Sequence, residues 1–493
     1  MFQQPQFSKT MWRQALHLTT RQTLAVLCST LLLFGSASTL CFADDEGSTS
    51  SSSPSNSDTA DIIQSTLSSV TVDSSASSAA NNLLDETRSF YEARHFRPAW
   101  SGSEGALERA RDVRFVLEHA YEQGLPNDYA ANLNTAGSLK SATDAAAYDI
   151  AMTTNLMRYT HDVRTGRIDP AQVYSDVGLI PQSFDAPEAL KEALHDNTID
   201  DFLADLPPPH PEYRRLVAAL AKYRSGASPV RRVQQIAANM ERWRWLPREL
   251  ERRYIAVNVP DQSLEFIRNG QSVLKSKVII GRQNSRTPIL AMSANAVIAN
   301  PSWEIPDDIA ARMQLPQLQK DPGGLATRNI VFEDGQYRQN PGPDNGLGLV
   351  MLDTPNNFWV YLHDTPKKKL FSLDTREISN GCVRVQQIFS LASLALTDDP
   401  NAGLESLKEA IDTGETQRIP LSNPLPVYLL YWTVRAYDDG TIEFLPDRYG
   451  RDAPLIERLG VGLSAPSGSR KGRSPSVHPR HKPTPAQNLA SRQ

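Results

Sequence analysis

The chain has 493 residues, 40 % of them hydrophobic and 22 % charged, with 51 basic against 56 acidic side chains and a net charge of −5. Length alone suits about three domains, and a chain of this size can bury a large core without covalent staples. So mild a charge gives no case for a nucleic-acid partner or for a strongly anionic one.

Residues 1–43 have the form of an export leader. Arg13 and Arg21 precede the apolar run Leu24–Phe34, and Cys41-Phe42-Ala43 before Asp44 puts small side chains at the −3 and −1 positions of a cleavage site. The same segment is long enough to serve as an uncleaved membrane anchor. Residues 44–80 are dominated by serine without sustained periodicity and read as a disordered linker. From 81 to 228 the pattern is helical. Ala106–Glu122 ends at Gly124-Leu125-Pro126, Ala145–Thr165 stops at Gly166, and Ile199–Leu206 and Tyr213–Tyr223 flank Pro207–Pro211. His161 and Asp162 are of metal-ligand type, but adjacent helical residues face different sides and no second cluster joins them, so no metal is expected. Pro229–Leu246, within a connecting segment 229–252, carries Val233, Ile236, Ala237, Met240 and Trp243 at helical spacing. Trp243 and Trp245 suit either stacking on a sugar or docking the helix on a sheet.

At Tyr254 the period changes to two and a mostly-β domain opens, over residues 253–450. Tyr254–Val259, Ser263–Arg268 and Val273–Ile280 read as strands, with Asn269-Gly270 a hairpin turn, and Ala296–Asn300 is a further strand after the loop Gly281–Pro288. Residues 301–348 interrupt this pattern with an acidic helix start at Asp307 and glycine-rich ends, the signature of an inserted mobile flap. Its Trp303 and Tyr337 suit either substrate contact or holding the flap together. Phe358–Leu362 is a strand, Gln386–Leu396 and Leu404–Thr413 are helices, Pro426–Val434 is a strand, and Asp438-Asp439-Gly440 turns into Thr441–Leu445. Residues 462–493 hold six Lys/Arg and no acid and read as a disordered basic tail.

Cysteine usage isolates one residue. Of three cysteines, Cys28 and Cys41 lie in the leader, leaving Cys382 alone in the mature chain. An unpaired thiol in an exported protein is an accident or a nucleophile. Cys382 stands in Ser379-Asn380-Gly381-Cys382-Val383-Arg384, nineteen residues after His363. An imidazole that takes the thiol proton is its usual activating partner. Gly381 leaves room for an acyl group and leaves the N–H groups of Gly381 and Cys382 to face an oxyanion. The strand-like and helix-like flanks predict a strand-to-helix turn, with a helix N-terminus lowering the thiol pKa.

Tyr361–Val385 resembles the signature of the L,D-transpeptidases, the YkuD-type catalytic domain: His363, then Ser379, Gly381, Cys382 and Val383 at the expected places. Asn380 stands where that pattern has histidine, and Arg384 where many members have asparagine. Ser-x-Gly-Cys-Val-Arg-Val is familiar in the larger YcbB-like branch, and FYEARHFRPAW, EQGLPNDY, MRYTHDVRTGRIDP and PPPHPEYRRL resemble the scaffold domain that precedes the catalytic domain there. The resemblance implies an α+β protein, a helical scaffold plus a mostly-β catalytic domain with a capping flap. Tyr213–Arg224 runs almost directly into Val230, leaving no room for the wall-binding module that many such proteins insert. It further implies a cofactor-free periplasmic enzyme, of a class blocked by carbapenems rather than penicillins, that cross-links peptidoglycan stem peptides. Cys382 would be the nucleophile and His363 the general acid/base, oriented by a backbone carbonyl for which Asp364 is the nearest candidate. Ser379 would position the turn. Arg384 would bind a substrate carboxylate or lock the turn, and Tyr361 lies on the substrate side. A hydrolase using the same cysteine, and a non-catalytic wall-binding protein, remain as alternatives.

Overall fold

The computed structural model describes residues 55–70, 78–133, 139–180, 182–226, 228–321, 323–397 and 400–460. The expected leader and basic tail lie outside the described residues.

The first described helix, Asn56–Ser69, falls inside the stretch expected to be a disordered linker, which is a correction. Its cause is local. The Ser55 hydroxyl accepts from the Asp58 N–H at the N-cap, and Thr59, Ile63 and Leu67 recur at four-residue spacing on one buried face. That face joins the scaffold core against the long helix Ala142–Arg164, which starts with a full Ser141/Asp144 capping box. Replacing Leu67 by alanine is expected to cost about 2–4 kcal/mol in urea unfolding; a neutral result would mean that this helix does not pack on the scaffold.

Around Ala142–Arg164 the scaffold adds Ser78–Ala93, Glu108–Glu118, Ala186–His195 and Ile199–Asp205. Buried Asp149 accepts from the Ala99 and Trp100 N–H groups and from the Tyr91 and Ser101 hydroxyls, so its charge is fully partnered. His161 Nε2 meets the Glu86 carboxylate at 2.8 Å, and Asp162 pairs with Arg167 at 3.0 Å. Only residues 226–229 separate the helices Pro211–Ser225 and Val230–Arg244.

Val230–Arg244 packs between two cores, giving Ala237 and Ala238 to one and Val233, Ile236, Met240 and Trp243 to the other. Trp243 stacks on Trp432 with centroids 4.3 Å apart, and Trp245 donates its indole N–H to the Ile168 carbonyl at 2.9 Å. Both tryptophans therefore dock the helix and neither faces a sugar. Arg244 and Glu241 pair at 2.8 Å with no solvent exposure, and Arg242 reaches Asp452 at 2.6 Å.

The catalytic region is a mixed sheet closed on itself. Its strands run Val350–Asp353, Leu362–His363, Val383–Val385, Gln271–Gly281, Ser263–Arg268, Arg253–Asn258, Gln417–Leu430 and Ile289–Ala299, and the last pairs back with the first. The Asn269-Gly270 turn has positive φ at both residues, as a two-residue hairpin requires. Two strands begin earlier than their alternation predicts. Ile289–Ala299 runs through the first part of an expected loop-to-strand region, and Gln417–Leu430 keeps pairing through Pro420 with a bulge before Leu425. One scaffold strand, Val177–Gly178, adds to this sheet beside Ile289–Leu290. The helix Asp452–Leu459 closes the domain with Leu455 and Leu459 fully buried, beyond the expected boundary at 450.

The insertion 301–348 is a small subdomain with its own core of Ile305, Ala310, Leu315, Ile330 and Tyr337. Tyr337 donates to Gln319 Oε1 at 2.7 Å, and the Trp303 ring lies where a Cβ on Gly346 would come within 2.8 Å. Both aromatics hold the flap together.

Candidate active site

Strand alternation decides which side chains meet. Leu362 pairs with Val383 and His363 with Arg384 in a parallel register. Leu362, Val383 and Val385 point into the barrel core with no exposure, so Tyr361, His363, Cys382 and Arg384 share the opposite face. Two neighbouring strand segments, with Cys382 nineteen residues after His363, thus put an imidazole, a guanidinium and a thiol on one surface.

Two expectations about the flanks are corrected. Phe358–Leu362 is not a strand: pairing begins at Leu362, and Trp359 lies in a turn with φ +54°. Nor does Cys382 sit at a helix N-terminus, because the strand Val383–Val385 follows it and the helix starts only at Ile388. No helix dipole lowers its pKa.

A relay of hydrogen bonds sets the nucleophile loop. The Ser379 hydroxyl donates to the Cys382 carbonyl at 2.7 Å and accepts the Gly381 N–H at 3.1 Å, a positioning geometry. That N–H, expected to face an oxyanion, is thereby engaged. Gly381 has φ +120°, a backbone closed to other residues. Thr287 Oγ1 donates to the Gly381 carbonyl at 2.7 Å and accepts the Gly281 N–H at 3.0 Å, while the Tyr449 hydroxyl donates to the Gly281 carbonyl at 2.5 Å. Arg282 reaches Asn380 Oδ1 at 2.5 Å and the Ser379 carbonyl at 3.3 Å. Thr287, Tyr449 and Arg282 carry no sequence signal of this role, since each acts through a fold contact.

His363 is 3 % exposed. Its Nδ1 lies 3.4 Å from the Leu347 carbonyl, at the flap's return into the sheet. Asp364, the expected orienting residue, holds that return: its carboxylate accepts the Leu349 N–H at 3.0 Å and an ion pair from Lys368. Gly348, at φ +71°, is required there, because a Cβ would fall 2.4 Å from the Asp364 side chain. Burial, and then the nearby Arg384, push the His363 pKa down to about 4, so the ring is neutral and able to accept a proton at physiological pH.

Cys382 is half-buried, and its sulfur is surrounded closely enough that burial raises the thiol pKa. The backbone N–H groups of Tyr361 and Cys382, and Arg384, act in the opposite sense. The thiol points at the Trp359 carbonyl, 3.6 Å away, rather than at the imidazole. The resting pair is therefore neutral thiol and neutral imidazole. Arg384 Nε is buried without a hydrogen-bond partner, and among the described residues no ion pair to this guanidinium is found. Tyr361 is half-buried, with its phenol pKa raised by burial and by Cys382.

The neutral resting pair predicts a pH signature. Iodoacetamide labelling of Cys382 should keep rising with pH beyond the ordinary thiol range, and Arg384→Gln should move the curve further up by removing the charge that favours thiolate. A plateau below pH 7 would mean a preformed thiolate. Base-assisted acylation, by contrast, should persist until the His363 midpoint near 4, because the ring is in its base form above it.

One face of the closed sheet thus carries a half-buried cysteine, a buried neutral histidine and an arginine without an ion pair among the described residues, a set suited to cysteine acyl-transfer chemistry. Residues 85–220 match the family profile of a scaffold domain and 252–402 that of the L,D-transpeptidase catalytic domain, together more than half of the chain. The chain belongs with the L,D-transpeptidases of the YkuD type, its catalytic domain preceded by a scaffold domain.

A protein of Haemophilus influenzae that carries the name of a candidate L,D-transpeptidase is 27 % identical over 391 residues, covering 74 % of this chain and 78 % of its own. Among solved structures, an Enterococcus faecium L,D-transpeptidase mutant is 12 % identical with a TM-score of 0.19, covering 37 % of this chain and 50 % of its own. L,D-transpeptidase 3 from Mycobacterium tuberculosis, in complex with a faropenem-derived adduct, is 11 % identical with a TM-score of 0.20, covering 36 % and 60 %. This chain thus spans about half to three-fifths of the length of those two structures.

Proposed function

We propose that the protein cross-links peptidoglycan stem peptides through a thioester on Cys382. His363 takes the thiol proton as Sγ attacks the carbonyl of the third, diamino-acid residue of a donor stem. The carbon–nitrogen bond to the terminal D-alanine breaks, and the proton held by His363 goes to the leaving amine. An amine of a second stem then attacks the thioester, the carbon–sulfur bond breaks, and the thiol is restored. The N–H of Cys382 replaces that of Gly381 as oxyanion donor. Tyr361 lines the donor on the flap side. Ser379 and Asp364 act by positioning, one on the nucleophile loop and the other through the flap return that orients His363.

The observation that carries this reading is the Arg384 guanidinium, charged, unpaired and on the same face as Cys382 and His363. This guanidinium is only half-buried, so it is open to a ligand, and a stem peptide offers carboxylates for a bidentate contact. The enzyme works in the periplasm, with its N-terminal segment as signal or inner-membrane anchor. Among the described residues no helix is long and apolar enough to cross a membrane, and the leader lies outside them. No cofactor takes part.

Incubation of the protein with a stem tetrapeptide tests the reaction. The expected products, read by mass spectrometry, are D-alanine and a dimer joined between two third residues. D-alanine release without dimer, at excess amine, would make the enzyme a carboxypeptidase. No turnover by folded protein would favour a wall-binding scaffold.

A further inference from the structure

Trp359 is 75 % exposed, more than any other large hydrophobic residue among those described. It holds φ +54°, a left-handed backbone that tryptophan rarely adopts. Its surroundings impose that conformation. The Asn356 side chain donates to the Thr354 and Val360 carbonyls at 2.7 and 2.8 Å and accepts the Phe358 and Val360 N–H groups at 2.9 and 3.3 Å. The Phe358 ring packs against Gly178 so closely that a Cβ there would come within 2.8 Å of it. A strained turn fixed from both sides, with its carbonyl beside the reactive thiol and its indole left in solvent, motivates a functional reading of that side chain.

Its place relative to the reacting atom is defined. The Trp359 carbonyl lies 3.6 Å from Cys382 Sγ. His363 and Arg384 lie side by side in the paired strands just beyond Leu362 and Val383, with the Leu347 carbonyl of the flap return against His363, whereas Trp359 precedes the strand, in the turn that leads into Leu362. On the proposed transpeptidase reading, the donor occupies the Arg384 side, which leaves the Trp359 side for the second substrate. That substrate is an alkyl amine, cationic until it gives up a proton, and an indole face is the strongest aromatic partner for such a cation.

We infer that the Trp359 ring is the acceptor-side specificity contact, holding the amine-bearing side arm of the incoming stem beside the thioester by a cation–π interaction. It acts in the second half-reaction only, in which the amine nitrogen bonds to the acyl carbon, the carbon–sulfur bond breaks and His363 receives the amine proton. Water needs no such contact.

The test separates the half-reactions in the full chain, with a stem tetrapeptide as donor and a stem tripeptide as acceptor. Trp359→Asn removes the ring while suiting the left-handed backbone, and Trp359→Phe and Trp359→Leu keep a weaker π face or an apolar surface alone. Acyl-enzyme formation, followed by intact mass, should stay within about twofold, while the ratio of aminolysis to hydrolysis falls about tenfold in the Asn and Leu variants and less in Phe. Equal loss in both half-reactions with an unchanged ratio overturns the inference, as does full rescue by leucine. Absence of acyl-enzyme in the wild type would instead overturn the transpeptidase reading on which it rests.

Discussion

Replacing Cys382 by alanine is expected to abolish covalent modification by a carbapenem and to lower cross-linking by on the order of 10³-fold or more. The size follows from the chemistry. The described residues offer no second thiol, and without an acyl-enzyme His363 has no nucleophile to deprotonate. Intact mass after incubation with the carbapenem should show one adduct on the wild type and none on the variant. Labelling of both proteins would place the acylation elsewhere and overturn the assignment. The alanine protein should unfold like the wild type, because Ser379 bonds the backbone carbonyl of residue 382 and not its sulfur.

Gly281→Ala should produce the largest loss of stability of any single-atom change around the site. A Cβ there would lie 2.1 Å from the Ser285 carbonyl oxygen and 2.8 Å from the Thr287 nitrogen, both backbone atoms that cannot rotate away. The loop must shift, and with it the bonds from Gly281 to Thr287 and Tyr449 that fix the Gly381 carbonyl. A cost of about 3 kcal/mol or more is expected in urea unfolding, with a steep fall in acylation rate. Gly270→Ala is the control. Nothing lies within 4 Å of its added carbon and only its φ of +77° is strained, so it should cost about 1 kcal/mol and leave acylation unchanged. Equal effects at the two glycines would mean that the relay behind Cys382 is not rigid.

Much of this was legible in the residues, for identifiable reasons. Asn269-Gly270 announces its hairpin because few residues tolerate two successive positive φ values. Val233, Ile236, Ala237 and Met240 announce the connecting helix because its buried stripe repeats at helical spacing. The thiol and imidazole stand out by type and solitude, and their motif points to the family. Other features were hidden because they depend on tertiary contact. The helix Asn56–Ser69 is serine-rich, and only the face of Ile63 and Leu67 gives it away. Pro420 breaks the alternation of a strand that pairs through it. Phe358 and Trp359 have strand-forming side chains, but Asn356 folds them into a turn. The thiol's electrostatics depend on the short strand Val383–Val385, which separates Cys382 from the helix that follows and carries no turn or breaker residue to announce it. The part of Asp364 became apparent only with the flap, whose Leu347 carbonyl it places against His363.

The Tyr174 hydroxyl donates to the Arg451 carbonyl across 277 residues of chain, and Arg451 also pairs with Asp176. Contacts so distant in sequence carry the entropic cost of closing the chain between them. Tyr449, two residues earlier, completes the support of the Gly281 and Gly381 backbone. The reactive sulfur therefore gains its fixed setting only after nearly the whole described chain has been made and the scaffold has met the closing helix. A chain cut before residue 449 keeps the cysteine but lacks the tyrosine that supports the backbone behind it.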